Sequence, residues 1–293
     1  MDKVHLWKDE YKIGSEPIDS QHRELFSRIE QLLAITQTSG MDESKKECCD
    51  ILDFLVTYTI RHFAAEEALQ KELDYVDYRQ HARLHKQFQN TVLTYKKEIE
   101  ENFSKGVLKN FVGTLLTWLT MHVCICDKKI ILNEPMDPRN RFGNKEELIW
   151  GTMKSFLTGI YHIPVKATKA CVYKGYVDGD IIVRSMIKGH KCHLFLYGFS
   201  QDLAKTLYNK LSDLHIKDME HLDELEQSAF IEIGDIISSQ LVIRLTDENH
   251  SSFQSRGCIF TERYSDPGIS ISDSIFMDLY TGSGNIQLMY CQV

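Results

Sequence analysis

Seven side chains in the first half of the chain have the types and the spacing of metal ligands. They are His22, His62 and Glu66 in His62-Phe63-Ala64-Ala65-Glu66, His81 and His85 in His81-Ala82-Arg83-Leu84-His85, and His122 and Asp127 in His122-Val123-Cys124-Ile125-Cys126-Asp127. Imidazole favours iron, copper, zinc or nickel, and a carboxylate can bridge two centres, so five imidazoles and two carboxylates suit a pair of borderline ions such as iron. A single zinc would use only four of them. His62/Glu66 and His81/His85 are each four residues apart, which puts both members of a pair on one helix face. His122 and Asp127 are five apart, roughly 140° around an ideal helix, so the helix must loosen there or the Asp must reach sideways.

The elements that must position these groups are legible as apolar stripes. His22 falls in register with Leu25, Phe26, Ile29, Leu32 and Leu33, and His62 with Leu55, Tyr58 and Leu69. His81 and His85 lead into Phe88, Val92, Tyr95 and Ile99, while His122 follows Phe111, Leu115, Trp118 and Leu119. The period predicts helices over 19–37, 43–72, 78–104 and 107–131, separated by short breaks at Ser39-Gly40, Asp74 to Asp77 and Ser104-Lys105-Gly106. Short connections imply antiparallel neighbours, hence an all-α up-and-down four-helix bundle. Imidazoles and carboxylates aimed into its core would be left unsatisfied unless something binds them, and a metal would satisfy them together.

Residues 1–132 resemble a bacterial hemerythrin. The resemblance rests on Trp7 and Tyr11 in an amino-terminal arm, Gln21-His22, His62-Phe63 with Glu66-Glu67, the His81/His85 pair, and Trp118-Leu119 ahead of His122 and Asp127. It implies two non-haem irons bridged by Glu66, Asp127 and an oxo or hydroxo group of solvent origin. It also implies that His81, His85 and His122 complete one iron, while His22 and His62 hold the other and leave a position open for dioxygen. Phe26, Phe63, Leu119 and Ile125 are the expected apolar lining.

After the fourth helix, residues 133–144 carry two prolines in a polar stretch and read as a linker. The texture then changes. Lys145 to Tyr161 is amphipathic, Cys171 to Val177 and Ile181 to Ile187 alternate around Asp178-Gly179 as a hairpin would, and His193 to Tyr197 reads as a third strand. Helices follow over 201–211 and 219–241, and the tail has strands over 274–280 and 286–291 around Gly282-Ser283-Gly284-Asn285. The chain is thus multi-domain, with residues 145–293 forming an α+β domain with a largely antiparallel sheet.

This second half is similar in order and length to the CheX/CheC-type chemotaxis phosphatases, which dephosphorylate a response-regulator receiver domain. Their signature helix corresponds to Ser228-Ala229-Phe230-Ile231-Glu232-Ile233-Gly234-Asp235. Ser228 and Glu232 match the pattern, but Asp235 stands where the family has Asn, and no proline follows at the usual distance. An amide can both donate and accept at an attacking water, whereas an ionised Asp only accepts and adds like charge beside a phosphoryl group. The resemblance therefore implies catalytic roles for Ser228, Glu232 and Asp235 in a phosphatase that is weak at best, with Mg2+ carried by the partner receiver.

Composition narrows the classes. With 43% hydrophobic and 26% charged residues the chain is neither disordered nor membrane-embedded, and its net charge of -8 argues against nucleic acid as a partner. The start lacks the apolar stretch of a signal peptide, so a cytoplasmic location is expected and the eight cysteines are expected to be reduced. Cys124 and Cys126 point about 200° apart on a helix and read as apolar fillers. The expected function is a sensor in which a di-iron bundle binding dioxygen or nitric oxide controls a receiver-binding output domain, with a homodimer through that domain as a further expectation. The rival readings are a di-iron oxidase or oxygen buffer with a non-catalytic dimerisation domain, and a plain receiver phosphatase with a structural metal bundle.

Overall fold

The computed structural model describes residues 5–37, 41–132, 145–159, 161–170, 176–188, 192–212, 214–216, 218–245, 254–260 and 274–292. The chain divides into two compact units, Met1–Asp137 and Pro138–Val293. The linker expected at 133–144 lies outside the described residues.

The first unit contains α1 (Glu16–Gln37), α2 (Met41–Glu72), α3 (Tyr78–Asn102), α4 (Lys105–Met121), a π-helical turn (His122–Asp127) and α5 (Lys128–Leu132). Helix α1 packs against α2 and α4, and α3 against the same two, which closes a four-helix bundle of sequential neighbours. Most of each stripe is buried: Leu25, Phe26, Ile29, Leu55, Phe88, Val92, Phe111 and Leu115 are core residues, while Tyr58, Leu69, Tyr95 and Trp118 are half-buried. Ser104 caps α4, its hydroxyl accepting the Val107 N–H at 3.1 Å. The arm ahead of α1 is pinned by buried Asp19, whose carboxylate accepts the N–H groups of Ile13 (2.8 Å) and Gly14 (3.1 Å). That places Trp7 and Tyr11 against Phe26.

The second unit contains α6 (Lys145–Gly159), β1 (Val165–Ala170), β2 (Ile181–Lys188), β3 (Cys192–Phe199), α7 (Gln201–Ser212), α8 (Glu224–Leu245), β4 (Gln254–Phe260), β5 (Ile275–Thr281) and β6 (Gly284–Gln292). Its sheet is antiparallel with strand order β1-β5-β6-β3-β2-β4. Helix α8 lies on the face carrying Val183, Tyr197 and Phe199, and it comes close because residue 234 is glycine: a Cβ there would sit 2.6 Å from Val183 Cγ1. The opposite face buries Leu194, Leu196, Phe276 and Met289 with Val177.

Two features differ from expectation. The hairpin around Asp178-Gly179 does not form, because β2 pairs with β3 and β4, while β1 pairs with β5 at the far side of the sheet; of the upstream arm, residues 171–175 lie outside the described set. Strand β4, at the sheet edge, had no counterpart in the sequence reading. The β5–β6 hairpin forms as expected, with Gly284 at φ +127° supplying a backbone conformation that side chains rarely adopt.

Candidate metal centre

All seven side chains singled out in the first half meet in the bundle core, and each is buried. Helix α1 contributes His22, α2 His62 and Glu66, α3 His81 and His85, and the π-helical turn supplies His122 and Asp127. The turn answers the five-residue spacing. Its i→i+5 bonding brings residues five apart back to one side of the helix, which an α-helical turn would not.

The carboxylates organise the imidazoles into two groups. Glu66 Oε1 lies 2.8 Å from His81 Nε2 and 3.5 Å from His85 Nε2, while its Oε2 lies 3.6 Å from His62 Nε2. Asp127 Oδ1 lies 3.2 Å from His81 Nε2 and 3.1 Å from His122 Nε2, and its Oδ2 lies 3.3 Å from His22 Nε2. Each carboxylate therefore sends one oxygen to a three-imidazole group and the other to a two-imidazole group. Within the larger group, His122 Nε2 stands 3.0 Å from both His81 Nε2 and His85 Nε2.

This donor set fits cations. His22 Nε2, His62 Nε2 and Glu66 Oε2 are buried with no hydrogen-bond partner, and leaving such atoms unpaired costs about 1–3 kcal/mol each. Burial, with His22 close by, pushes His62 down to about 3, and burial pushes His122 down to about 4, so both offer neutral lone pairs. His81 goes the other way. Burial opposes its charge, but hydrogen bonding and attraction to Asp127 and Glu66 outweigh that and lift it to about 10. Both carboxyls are held below the ordinary range, because their imidazole neighbours outweigh the effect of burial.

Gln70 and Trp118 support the cluster without having been assigned roles from sequence. Gln70, buried one turn beyond Glu66, donates its amide N–H to Glu66 Oε1 at 2.8 Å. Phe63 stacks on His85 (centroids 3.9 Å, 5° between planes) and Trp118 on His122 (4.2 Å, 13°), so aromatic rings wall the three-imidazole side. The i+4 offset of Gln70 from Glu66, and the i−4 offset of Trp118 from His122, were the available signals. Of the expected lining, Phe26, Phe63 and Leu119 are buried, and Ile125 packs beside Tyr75, Cys126 and Ile130. Burial pushes the Cys124 thiol up to about 12, the reverse of what a thiolate ligand needs.

In the second unit, Ser228, Glu232 and Asp235 all lie on α8 but do not form one open strip. Ser228 is buried and donates to the Leu225 carbonyl at 3.2 Å. Asp235 is turned to the sheet, where it accepts the Ser185 hydroxyl of β2 at 2.5 Å. Glu232 is half-buried, and burial together with the Asp235 carboxylate pushes its carboxyl up to about 8.

A family model, the hemerythrin HHE cation binding domain, matches residues 14–131. A bacteriohemerythrin of Stenotrophomonas maltophilia is 31% identical over 118 residues, covering 40% of this chain and 73% of that protein. One of Pseudomonas paraeruginosa is 28% identical over 121 residues, covering 41% of this chain and 75% of that protein. The chain belongs to the hemerythrin family, and its first unit is a hemerythrin-type cation-binding domain. Among solved structures, a chemotaxis protein CheX from Desulfovibrio desulfuricans aligns with a TM-score of 0.42 at 16% identity, covering 51% of this chain and 99% of that one. Among the described residues no helix is long and apolar enough to cross a membrane.

Proposed function

We propose that the first unit holds two irons for reversible binding of dioxygen, and that the second unit reports their state to a phosphorylated receiver domain. The observation that carries the first half is the division of Glu66 and Asp127, each with one oxygen toward three imidazoles and the other toward two. Bridging carboxylates are arranged in this way, and they would leave the ion held by His22 and His62 with fewer protein ligands and room for an exogenous one. When bound, a pair of ferrous ions supplies the electrons that reversible dioxygen binding requires. The chain's own residues do the rest: Phe63 and Trp118 fix the three-imidazole side, and buried Phe26 and Leu119 keep the core apolar and exclude water. The test is an iron count with absorption spectra, reduced without air and then exposed to it. Two irons per chain and a visible band that bleaches and returns are expected; a spectrum indifferent to air would reduce the bundle to a structural metal site. Nitric oxide in place of air, in the same experiment, distinguishes the two gases by affinity.

The output half of the proposal rests on the sequence pattern of α8. Asp235 is engaged by Ser185, and Glu232 with a carboxyl near 8 is largely uncharged at neutral pH. Such a surface repels a phosphorylated receiver less than two free carboxylates would, which favours a binding module with slow hydrolysis over a fast phosphatase. Replacing Asp235 with Asn, measured as the lifetime of a receiver acyl phosphate mixed with the full chain, should shorten that lifetime. A wild type already fast, with a slower Asn variant, would assign the aspartate a catalytic role instead.

A further inference from the structure

One imidazole of each group is held from behind by an acceptor, and the two acceptors differ in charge. Glu67 Oε1 lies 3.1 Å from His85 Nδ1, with the Tyr78 hydroxyl 3.5 Å from its other oxygen. Gln21 Oε1 lies 2.9 Å from His62 Nδ1. Both contacts fix the tautomer, leaving Nε2 as the lone pair that faces the cluster. By contrast, Nδ1 of His22 and Nδ1 of His81 are buried with no partner.

We infer that Glu67 and Gln21 are positioning residues that make the two metal positions electronically unequal, so that the position served by His85 fills first and holds the more oxidised ion. The inference rests on the two-ion reading above. A carboxylate accepting the ring N–H draws that proton toward itself and makes the imidazole a stronger donor, whereas a neutral amide orients the ring with little change in basicity. The inequality therefore adds to the difference in ligand number and is set by residues that touch no metal. It also falls on the side walled by Phe63 and Trp118, where ring movement is least available to blunt it.

Glu67→Gln separates charge from geometry, because the amide oxygen can still accept from His85 while the negative charge is gone. The experiment is an anaerobic calorimetric titration of the full metal-free chain with ferrous iron, paired with the reduction potential of the loaded protein. Wild type should bind two ions in two resolved steps. Glu67→Gln should weaken the tighter step by roughly ten- to a hundredfold, leave the looser step in place, and raise the potential of one iron. Gln21→Glu should do the converse, tightening the looser step and narrowing the gap. Thermal melting of both metal-free variants should match wild type. If Glu67→Gln leaves both steps and the potential unchanged, or weakens both steps alike, the inference fails while the two-ion reading stands. A wild type that takes up one ion overturns the two-ion reading itself, and this inference with it.

Discussion

At neutral pH the metal-free cluster holds its protons unevenly, and that has consequences for loading. His62 and His122 are neutral already, whereas His81, lifted to about 10, keeps a proton between Glu66 and Asp127. An ion must take the lone pair of that nitrogen, so uptake releases the proton, and affinity should rise about tenfold per pH unit for each proton released between pH 6 and pH 8. Calorimetry in two buffers of different ionisation heat reads the release directly; a binding heat independent of buffer would contradict it. Glu232 obeys the opposite bookkeeping. Its folded carboxyl, at about 8, lies above the ordinary 4.5, so its contribution to stability is full below the ordinary value and is lost as pH rises through 8. Glu232→Gln should therefore gain stability over wild type at pH 8.5 and match it near pH 4 in denaturant titrations. The ligands were legible because polar residues stood at core positions of four apolar stripes. Gln21, Glu67 and Gln70 were not given roles, because an acceptor behind a ligand looks in sequence like any solvated polar residue. The partner of Asp235 was hidden for another reason: Ser185 lies fifty residues away on a strand, beyond the reach of a pattern read along one helix.

Elements decide which of these side chains can meet, and two of them carry sharp expectations. The π-helical turn ends in His122 and Asp127, so ions bound there tie both of its ends to α1, α2 and α3. Removing iron should raise amide hydrogen exchange over 122–132 more than over the core of α1; equal protection with and without iron would mean that the turn is stable on its own packing. Gly234 is the second case. Alanine in a helix interior normally gains about 0.5–1 kcal/mol over glycine, but here its Cβ would meet Val183 Cγ1 at 2.6 Å, and Val183 is a stiff β-branched residue on a strand. Overpacking should win, at about 1–3 kcal/mol, and Gly234→Ala with Val183→Ala should recover much of the loss. The helices of both units were readable from period 3.6, and the spacing of His122 and Asp127 required either a loosened turn or a sideways reach of the Asp, of which the structure has the first. Strand pairing was not. Asp178-Gly179 has hairpin chemistry, yet both edges of β2 are taken by strands that follow it, β3 and β4, a long-range pairing that a local turn signal does not reveal. Strand β4 was missed since Gln254-Ser255-Arg256-Gly257 opens an edge strand with residues that do not alternate.

At the scale of the whole chain, a sensor needs the state of one unit to alter the free energy of the other. Typical couplings between sites are about 1–3 kcal/mol, and they are reciprocal for binding. Iron bound only by the folded bundle must stabilise the first unit, by about 2.7 kcal/mol when free iron is a hundredfold above its dissociation constant. Whether that stabilisation crosses to the second unit can be read without knowing the cognate receiver. Scanning calorimetry of the full chain, iron-loaded and chelated, should resolve the unfolding of the two units, with a large downward shift of the first on chelation. If the units are coupled, the second transition should also move, by about 3 °C for each kcal/mol in a domain of this size, so that a coupling in the usual range gives about 3–9 °C. Replacing His85 or Glu66 with Ala should reproduce the chelated pattern in the presence of iron, since each substitution removes a donor from the three-imidazole group. A first transition that shifts alone, in wild type and in both variants, would mean that the bundle and the α+β unit respond independently, and the proposed transfer of the iron signal would fail even with both sites intact.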